Sequence, residues 1–444
     1  MTVTPAAEQT HTRGHAVARH PVRVAIDGDF AIDDLLALPA DGPARRLHSV
    51  PTTLDTLEHL RATDAPDTSA DTHCDPARTP SNPTGADAVL LRRFEVSGLF
   101  QPPVREQITG LSPEAGAAWL ALAARWVDLS QSSGDLRFLN TACKLIGAVW
   151  AHHTPSGDRQ WNEPGLTAQL AAVGRVLGEA TDRLQRRLTT RSMPSSPAGA
   201  DEEDLKPDRL VTTSQARIVV LAGAGSRSAG RLVSAATTAG LPIETVCWYA
   251  PPRSPLTEPS NYSSAWYPPG QSHPSPSVDM PRRVQATTAR TWEEVAAAIH
   301  SAGADIVLLV GMPVVPDFVL HTAPSGVLNA HNGALPTYRG MDAVGWALLH
   351  DEPVVCSLHM ARPEVDAGEL IATHAVPIVP LATLAARVKT TQLQLLLDGA
   401  AHVAATGALP DLTPQPTNGT QFYRLHPHLK RLLDASPYAL NDGP

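Results

Sequence analysis

The chain has 444 residues, a formal net charge of -9 and 43% hydrophobic residues. This length exceeds what one ordinary core accommodates and predicts two domains, while the negative charge argues against a nucleic-acid surface. The scattered cysteines, at Cys74, Cys143, Cys247 and Cys356, lack zinc-binding spacing and predict reduced, mostly buried thiols with no metal site. No apolar run is long enough to cross a bilayer and no signal peptide is recognisable, so a soluble cytoplasmic protein is expected.

The first half of the chain predicts an α-rich domain whose role the sequence does not reveal. Ser112 and Pro113 are suited to the start of a helix, and apolar residues recur at helical spacing after them. A disordered tail is predicted at 1–21 and an α-rich domain at 22–190. Within this domain the predicted elements are a strand at 22–26, a short helix at 32–38, a flexible insertion at 64–87, extended structure at 88–100, a helix that begins at 112, and helices at 135–152 and 164–187.

The second half begins after a Ser-, Pro- and acid-rich segment at 191–215, which predicts an interdomain linker. Residues 216–223 then form a buried-type strand, and Gly223-Ala224-Gly225-Ser226 turns it into a helix running to residue 239. Free N–H groups and the helix dipole make such a loop attractive to anions. Two interpretations stay open, a phosphate-binding loop and a tight turn that needs only glycine.

Strands and helices alternate from this loop to about residue 410. This alternation predicts an α/β domain at 216–410 with a Rossmann-like, mainly parallel sheet. Its further elements are expected at 244–249, 305–310, 327–328, 354–360 and 373–379 as strands, and at 291–302 and 381–404 as helices. The Pro- and Ser-rich residues 250–283, with Tyr262, Trp266 and Tyr267, predict either an acceptor-side lid or a flexible insertion, and residues 411–444 predict a C-terminal extension.

Three polar residues fall at the ends of these strands. Asn329 and His331 follow one apolar run, and Asp366 lies in the loop after the next strand. The three side chains are therefore expected to meet at one edge of the sheet. An amide, an imidazole and a carboxylate together suit acyl transfer, in which an oxyanion needs hydrogen-bond donors and the attacking group must lose a proton.

The spacing of these residues resembles a known family, the N10-formyltetrahydrofolate-dependent formyltransferases, which act on methionyl-tRNA, glycinamide ribonucleotide or amino sugars. The motifs that carry the resemblance are Asn329-Ala330-His331, then Leu335-Pro336-Thr337-Tyr338-Arg339-Gly340, and His359 followed seven residues later by Asp366-Ala367-Gly368. One position departs from the family pattern, because Asn332 stands where the family usually has proline.

The resemblance implies a role for each matching residue. Asn329, His331 and Asp366 would be catalytic, with Asn329 and His331 donating hydrogen bonds to the oxyanion and Asp366 supplying the counter-charge and a proton path. The residues implied to bind the folate are Met312, Pro313, Val314, Val315, Val365 and Gly368, although the run at 312–315 also suits an ordinary core loop. The residues implied to bind the acceptor are Gly223, Gly225, Ser226, Tyr338 and Arg339.

The resemblance implies an enzyme that transfers a formyl group from N10-formyltetrahydrofolate, without a metal, to an amine of a small-molecule or peptide acceptor in a biosynthetic pathway. Two alternatives stay open, a formyltetrahydrofolate hydrolase and a non-catalytic folate- or partner-binding protein. The negative charge, and the roughly thirty residues after 410, too few for the basic domain of tRNA-specific members, predict no nucleic-acid partner. No membrane partner is expected, and a homo-oligomer stays open.

Overall fold

The structure is a computed structural model that describes residues 85–96, 113–153, 164–190, 205, 216–252, 281–377, 381–417 and 419–436. Several predictions lie outside these residues: the tail at 1–21, the strand at 22–26, the helix at 32–38, nearly all of the insertion at 64–87, most of the linker at 191–215, and the Tyr262, Trp266 and Tyr267 loop.

The described part of the N-terminal half consists of helices α1 (Gly85–Val96), α2 (Pro113–Ser133), α3 (Leu136–His153) and α4 (Pro164–Thr189). The three later helices are confirmed to within two residues, but the prediction of extended structure at 88–100 is wrong for residues 88–96, and residues 97–100 lie outside the described ranges. Leu90, Leu91 and Phe94 are buried at helical spacing, and the Phe94 ring packs edge-on against Trp119 and Trp126 at centroid distances of 6.4 and 5.6 Å. Contact with α2 therefore stabilises a helix at a short apolar run that also fits a strand.

The second half contains a seven-stranded sheet in the order β3-β2-β1-β4-β5-β7-β8. Its pairings are parallel from β3 through β5 and antiparallel from β5 through β8, which confirms the Rossmann-like, mainly parallel prediction. The strands are β1 (Ile218–Gly223), β2 (Ile243–Tyr249), β3 (Gln285–Ala289), β4 (Ile306–Val310), β5 (Val327–His331), β7 (Val355–Met360) and β8 (Leu370–Ala375). A separate pair joins β6 (Arg339–Gly340) to β9 (Gln421–Phe422). The sequence did not predict β3, β6 or β9.

Helices cover both faces of the sheet because its buried strands are apolar on both sides. The connecting helices are α5 (Arg227–Thr238), α6 (Trp292–Ser301), α7 (Asp317–Leu320), α8 (Ala343–His350), α9 (Leu381–Thr406) and α10 (Pro427–Asp434). Ile218 and Val220 belong to the core cluster that contains α5 and α9, whereas Val219 and Leu221 belong to the cluster that contains α6 and α7. None of the helices in the described ranges is long and apolar enough to span a membrane.

The C-terminal segment connects the two halves of the molecule. Helix α10 contacts α4 of the N-terminal half and α8 of the sheet half, and Leu425, Leu429 and Leu433 are fully buried. Buried residues of the helices, of the sheet and of this segment belong to one continuous core cluster. Residues 419–436 of the predicted C-terminal extension are therefore an integral part of the fold.

Candidate active site

The predicted catalytic residues meet at the carboxyl end of β5. Asn329 and His331 are two residues apart on this strand, so their side chains share one face of the sheet. Asn329 is paired in register with Leu309 of β4 on one side and with His359 of β7 on the other. Asp366 lies in the loop between β7 and β8, where its backbone has a left-handed φ of 52°. The prediction that the three side chains lie within reach of each other agrees with this arrangement.

The His331 ring is buried with an acceptor at each nitrogen. Its Nε2–H donates to the Tyr338 carbonyl oxygen at 2.7 Å, and its Nδ1 lies 3.4 Å from Asp366 Oδ2. Burial lowers the pKa of His331, and the nearby Asp366 carboxylate acts in the opposite direction. Two acceptors favour a charged ring and burial favours a neutral one, so the His331–Asp366 pair can take up and release one proton.

The Asp366 carboxylate is surrounded by groups from the strands β5, β6 and β7. Its Oδ2 accepts a hydrogen bond from the Gly340 backbone N–H at 2.9 Å, and its Oδ1 lies 3.5 Å from His359 Nε2. Burial alone raises its pKa, but the adjacent His331 ring and the Gly340 N–H oppose burial, and the pKa is lowered to about 2. Asp366 is therefore ionised at neutral pH.

His359 orients Asn329 and was absent from the predicted catalytic residues. The His359 Nδ1–H donates to the Met360 carbonyl oxygen at 2.8 Å, which leaves Nε2 to accept from Asn329 Nδ2 at 3.1 Å. One N–H of the Asn329 amide is used in this way, and the second is available for a reacting oxygen. The signal for this role was present in the sequence, in the spacing of seven residues between His359 and Asp366.

Gln415 is a second supporting residue, and no feature of the sequence pointed to it. Its Nε2 donates to the Asp366 carbonyl oxygen at 3.1 Å and to the Gly368 carbonyl oxygen at 2.5 Å. Its Oε1 accepts from the Arg339 guanidinium at 3.0 Å. The side chain therefore fixes the backbone of the Asp366 loop against the Arg339 loop.

The residues implied to bind folate lie beside the catalytic group, on the two loops that flank it. The run Met312, Pro313, Val314 and Val315 follows β4, the neighbour of β5. Val315 is buried in the core, whereas Val314 is 69% exposed and Phe318, just beyond the run, is 49% exposed. Val365 and Gly368 flank Asp366 in the other loop. The segment after β4 thus presents exposed apolar side chains.

The residues implied to bind the acceptor are in two different environments. The Gly223–Ser226 loop lies at the end of β1, two strands from β5 and so about 10 Å from Asn329. Gly225 has a φ of 74°, and the Ser226 hydroxyl caps α5 by accepting from the Ala229 N–H at 3.2 Å, which favours the tight-turn interpretation.

Tyr338 and Arg339 are buried. The Tyr338 hydroxyl lies 3.2 Å from His350 Nδ1, and the Arg339 guanidinium also donates to the Pro416 carbonyl oxygen at 2.9 Å. Their described contacts therefore support the site framework, and an acceptor-binding role for them stays a prediction.

The prediction of mostly buried, reduced thiols is confirmed for the three described cysteines, Cys143, Cys247 and Cys356, which are buried and free. Burial raises the pKa of the Cys143 and Cys356 thiols to about 12 and that of Cys247 to about 11. Cys74 lies outside the described residues. Within the described ranges, no group of three or more His, Cys, Asp or Glu residues is arranged to hold a metal ion.

Two solved structures resemble the chain at low overall similarity. Glycinamide ribonucleotide transformylase 1 from Symbiobacterium toebii has 21% identity and a TM-score of 0.33, and the match covers 45% of this chain and 94% of that one. A HypX variant from Aquifex aeolicus has 18% identity and a TM-score of 0.36, with 52% of this chain and 35% of that one covered.

Sequence comparisons locate the relationship in the second half of the chain. Methionyl-tRNA formyltransferase of Acidothermus cellulolyticus is 33% identical over 150 residues, which are 32% of this chain and 46% of that protein. The Deinococcus radiodurans protein of the same name is 32% identical over 133 residues, 29% of this chain and 40% of that protein. The match therefore spans less than half the length of either relative. A protein-family model described as formyl transferase matches residues 216–398, so this part of the chain is a domain of the formyl transferase family.

Proposed function

We propose that this protein transfers a formyl group from N10-formyltetrahydrofolate to a primary amine. The observation that carries the proposal is the contact of His331 Nδ1 with Asp366 Oδ2 at 3.4 Å, on the same strand end as Asn329. An amide donor and a proton-holding pair are the groups that acyl transfer to an amine needs, and they lie within the formyl transferase domain.

The exposed apolar side chains of the segment after β4 support a folate site. When bound, N10-formyltetrahydrofolate supplies the formyl carbonyl that is transferred. Exposed apolar side chains such as Val314 and Phe318 next to buried polar groups are typical of a site for a flat aromatic ligand. The residues that we propose to hold this ligand are Met312, Pro313, Val314, Val315, Val365 and Gly368.

Asn329 stabilises the negative charge that develops on the formyl oxygen. Its amide is held by His359 at 3.1 Å, so the second N–H points in a fixed direction before the reaction starts. A preorganised donor in a site with little water stabilises charge more than a mobile donor does.

The His331–Asp366 pair manages the proton. As the amine nitrogen forms its bond to the formyl carbon, it loses one proton, and the folate nitrogen gains one proton when its bond to that carbon breaks. Ionised Asp366 and the buried His331 ring can take up the first proton and return it for the second. The proton balance closes without a further reactant.

We propose a small-molecule or peptide amine as the acceptor, since a net charge of -9 disfavours the tRNA phosphate backbone. A methionyl-tRNA acceptor is the second candidate, because two relatives carry that name; it conflicts with the prediction of no nucleic-acid partner. A cytoplasmic location and a biosynthetic role stay predictions from the sequence.

One experiment separates these outcomes. The full-length protein is incubated with N10-formyltetrahydrofolate alone, with amino acids, amino sugars and short peptides, and with methionyl-tRNA, and both tetrahydrofolate and formylated product are measured. We expect tetrahydrofolate release that depends on an amine, with a product heavier by one formyl group. Formylated methionyl-tRNA would identify the second acceptor, release without an amine would indicate a hydrolase, and no release under any condition would exclude the proposed reaction.

A further inference from the structure

Helix α3 of the N-terminal half holds the C-terminal segment through one buried amide. Asn140 Oδ1 accepts from the His426 backbone N–H at 2.7 Å, and Asn140 Nδ2 donates to the Arg424 carbonyl oxygen at 3.2 Å. Asn140 is buried, so removal of its amide leaves a backbone donor and a backbone acceptor without this partner in the interior. The pairing therefore fixes the position of residues 424–426.

The same segment holds the loop after the Tyr338-Arg339-Gly340 run of the site. The Leu425 backbone N–H donates to Asp342 Oδ2 at 2.9 Å, and this carboxylate also forms a buried ion pair with Lys430 Nζ at 2.8 Å. The Met341 backbone N–H donates to the Phe422 carbonyl oxygen at 2.9 Å. Residues 339–342 are thus attached to residues 420–430 along their whole length.

Residues 339–342 in turn contact the catalytic carboxylate of Asp366. Gly340 pairs with Phe422 in the β6–β9 ladder, and its backbone N–H donates to Asp366 Oδ2 at 2.9 Å. A shift of the C-terminal segment would therefore move a hydrogen-bond donor that lowers the pKa of Asp366.

A second set of contacts runs from the same helix to His331. The Arg137 guanidinium lies 6.0 Å from the centroid of the Phe422 ring, and that ring lies 5.1 Å from the Tyr338 ring. The Tyr338 carbonyl oxygen accepts the His331 hydrogen bond. Arg137 and Asn140 are three residues apart and so share one face of α3.

We propose that α3 is a positioning element for the active site, with Asn140 and Arg137 as positioning residues that hold residues 420–428, and through them Gly340 and Tyr338, against Asp366 and His331. This role rests on the proposed formyl transfer. Helix α3 lies outside residues 216–398, which the family model matches. Reaction rates fall when catalytic groups are misplaced by about 1 Å, so the effect is expected in turnover and not in folate affinity.

The test uses the full-length protein and two measurements. The first is the hydrogen exchange of residues 338–342, which needs no activity, and the second is kcat and KM for the folate donor. We expect Asn140→Ala to speed exchange of this segment and to lower kcat, each roughly tenfold as for loss of a buried hydrogen bond, with KM within about twofold. The control is Arg125→Ala, which breaks the 2.6 Å ion pair with Asp87 inside the helical half and should leave both quantities unchanged.

Variants at Arg137 provide a second test if Asn140→Ala does not fold. The Arg137 side chain is partly exposed, so its replacement is expected to leave the fold intact. Arg137→Gln should lower kcat about threefold, and Arg137→Lys, which keeps a cation near Phe422, should restore most of it. Folded variants that match Arg125→Ala in exchange and in kcat would overturn the positioning role. An inactive wild-type protein would instead refute the formyl transfer, and the exchange measurement would still decide the role of α3.

Discussion

Asp366 is the residue on which the other catalytic contacts converge. It faces His331 and His359 and accepts from the Gly340 N–H, while its left-handed φ of 52° places a non-glycine residue in a conformation that costs about 1 kcal/mol or more. A residue kept in this conformation at a site with an ionised carboxylate indicates that its position matters for the chemistry.

Asp366→Asn should abolish most of the activity and leave the fold in place. The amide has nearly the same size but cannot accept the proton of the attacking amine, so we expect turnover to fall by about 10²- to 10⁴-fold. His331→Ala should have an effect in the same range. Tetrahydrofolate release measures turnover, and circular dichroism checks the fold. Normal turnover in either folded variant would remove that residue from the proposed mechanism.

The pKa of Asp366 also predicts how stability depends on pH. This pKa is lowered from 3.8 to about 2 in the folded protein, so ionised Asp366 stabilises the fold above pH 3.8 and this contribution is lost as the pH falls toward 2. The size is about 2 kcal/mol. Denaturant unfolding of the wild type and of Asp366→Asn between pH 5 and pH 2 measures this contribution to the free energy of unfolding. If the free energy of unfolding changes with pH equally in the two proteins, the prediction is contradicted.

At the scale of elements, the turn between β1 and α5 has a structural role that can be separated from binding. The Ser226 hydroxyl caps α5, and Gly225 supplies a positive φ of 74°, so the local geometry explains both residues without a ligand. The Ala224 and Ser226 backbone N–H groups also donate to the Tyr249 and Gly223 carbonyl oxygens. Whether this turn binds an acceptor phosphate is a separate question, because capping uses the Ser226 hydroxyl and anion binding would use other backbone N–H groups at the start of α5.

Ser226→Ala should lower the free energy of unfolding by about 1 kcal/mol, the usual cost of losing an N-cap. If the turn is only structural, KM for the acceptor should stay within about twofold of the wild-type value. Urea unfolding and acceptor kinetics measure the two quantities. A large rise in KM with unchanged stability would favour the phosphate-binding interpretation instead. Thr238→Ala, which removes a hydroxyl contact with the Ser234 carbonyl oxygen at the far end of α5, is a matched control.

At the scale of the whole molecule, the N-terminal helices and the sheet share one core, so they are expected to unfold together. Leu429 of α10 is 0% exposed between α4 and α8, and Leu429→Ala should cost about 2–5 kcal/mol by leaving a cavity. Leu412→Ala, at a residue 38% exposed, should cost far less. Thermal unfolding followed by both far- and near-ultraviolet circular dichroism should show one transition for Leu429→Ala. Two separated transitions would indicate independent halves.

The sequence by itself determined the features that depend on short-range patterns. Apolar periodicity predicted three of the four described N-terminal helices and the five strands β1, β2, β4, β5 and β7, because a buried face repeats at the period of its element. Motif spacing located Asn329, His331 and Asp366, because one strand and one loop bring these residues to the same sheet edge.

Only the tertiary structure decided the contacts that act between distant segments. The Gly340 N–H is 26 residues from Asp366, Gln415 is 49 residues from it, and Asn140 is 286 residues from His426. No local pattern encodes which backbone group a buried side chain will meet, because that choice follows from how layers pack. For the same reason, the helix at residues 85–96 depends on contact with Trp119 and Trp126. The inward packing of Tyr338 and Arg339 likewise makes these two side chains part of the framework that supports the active site.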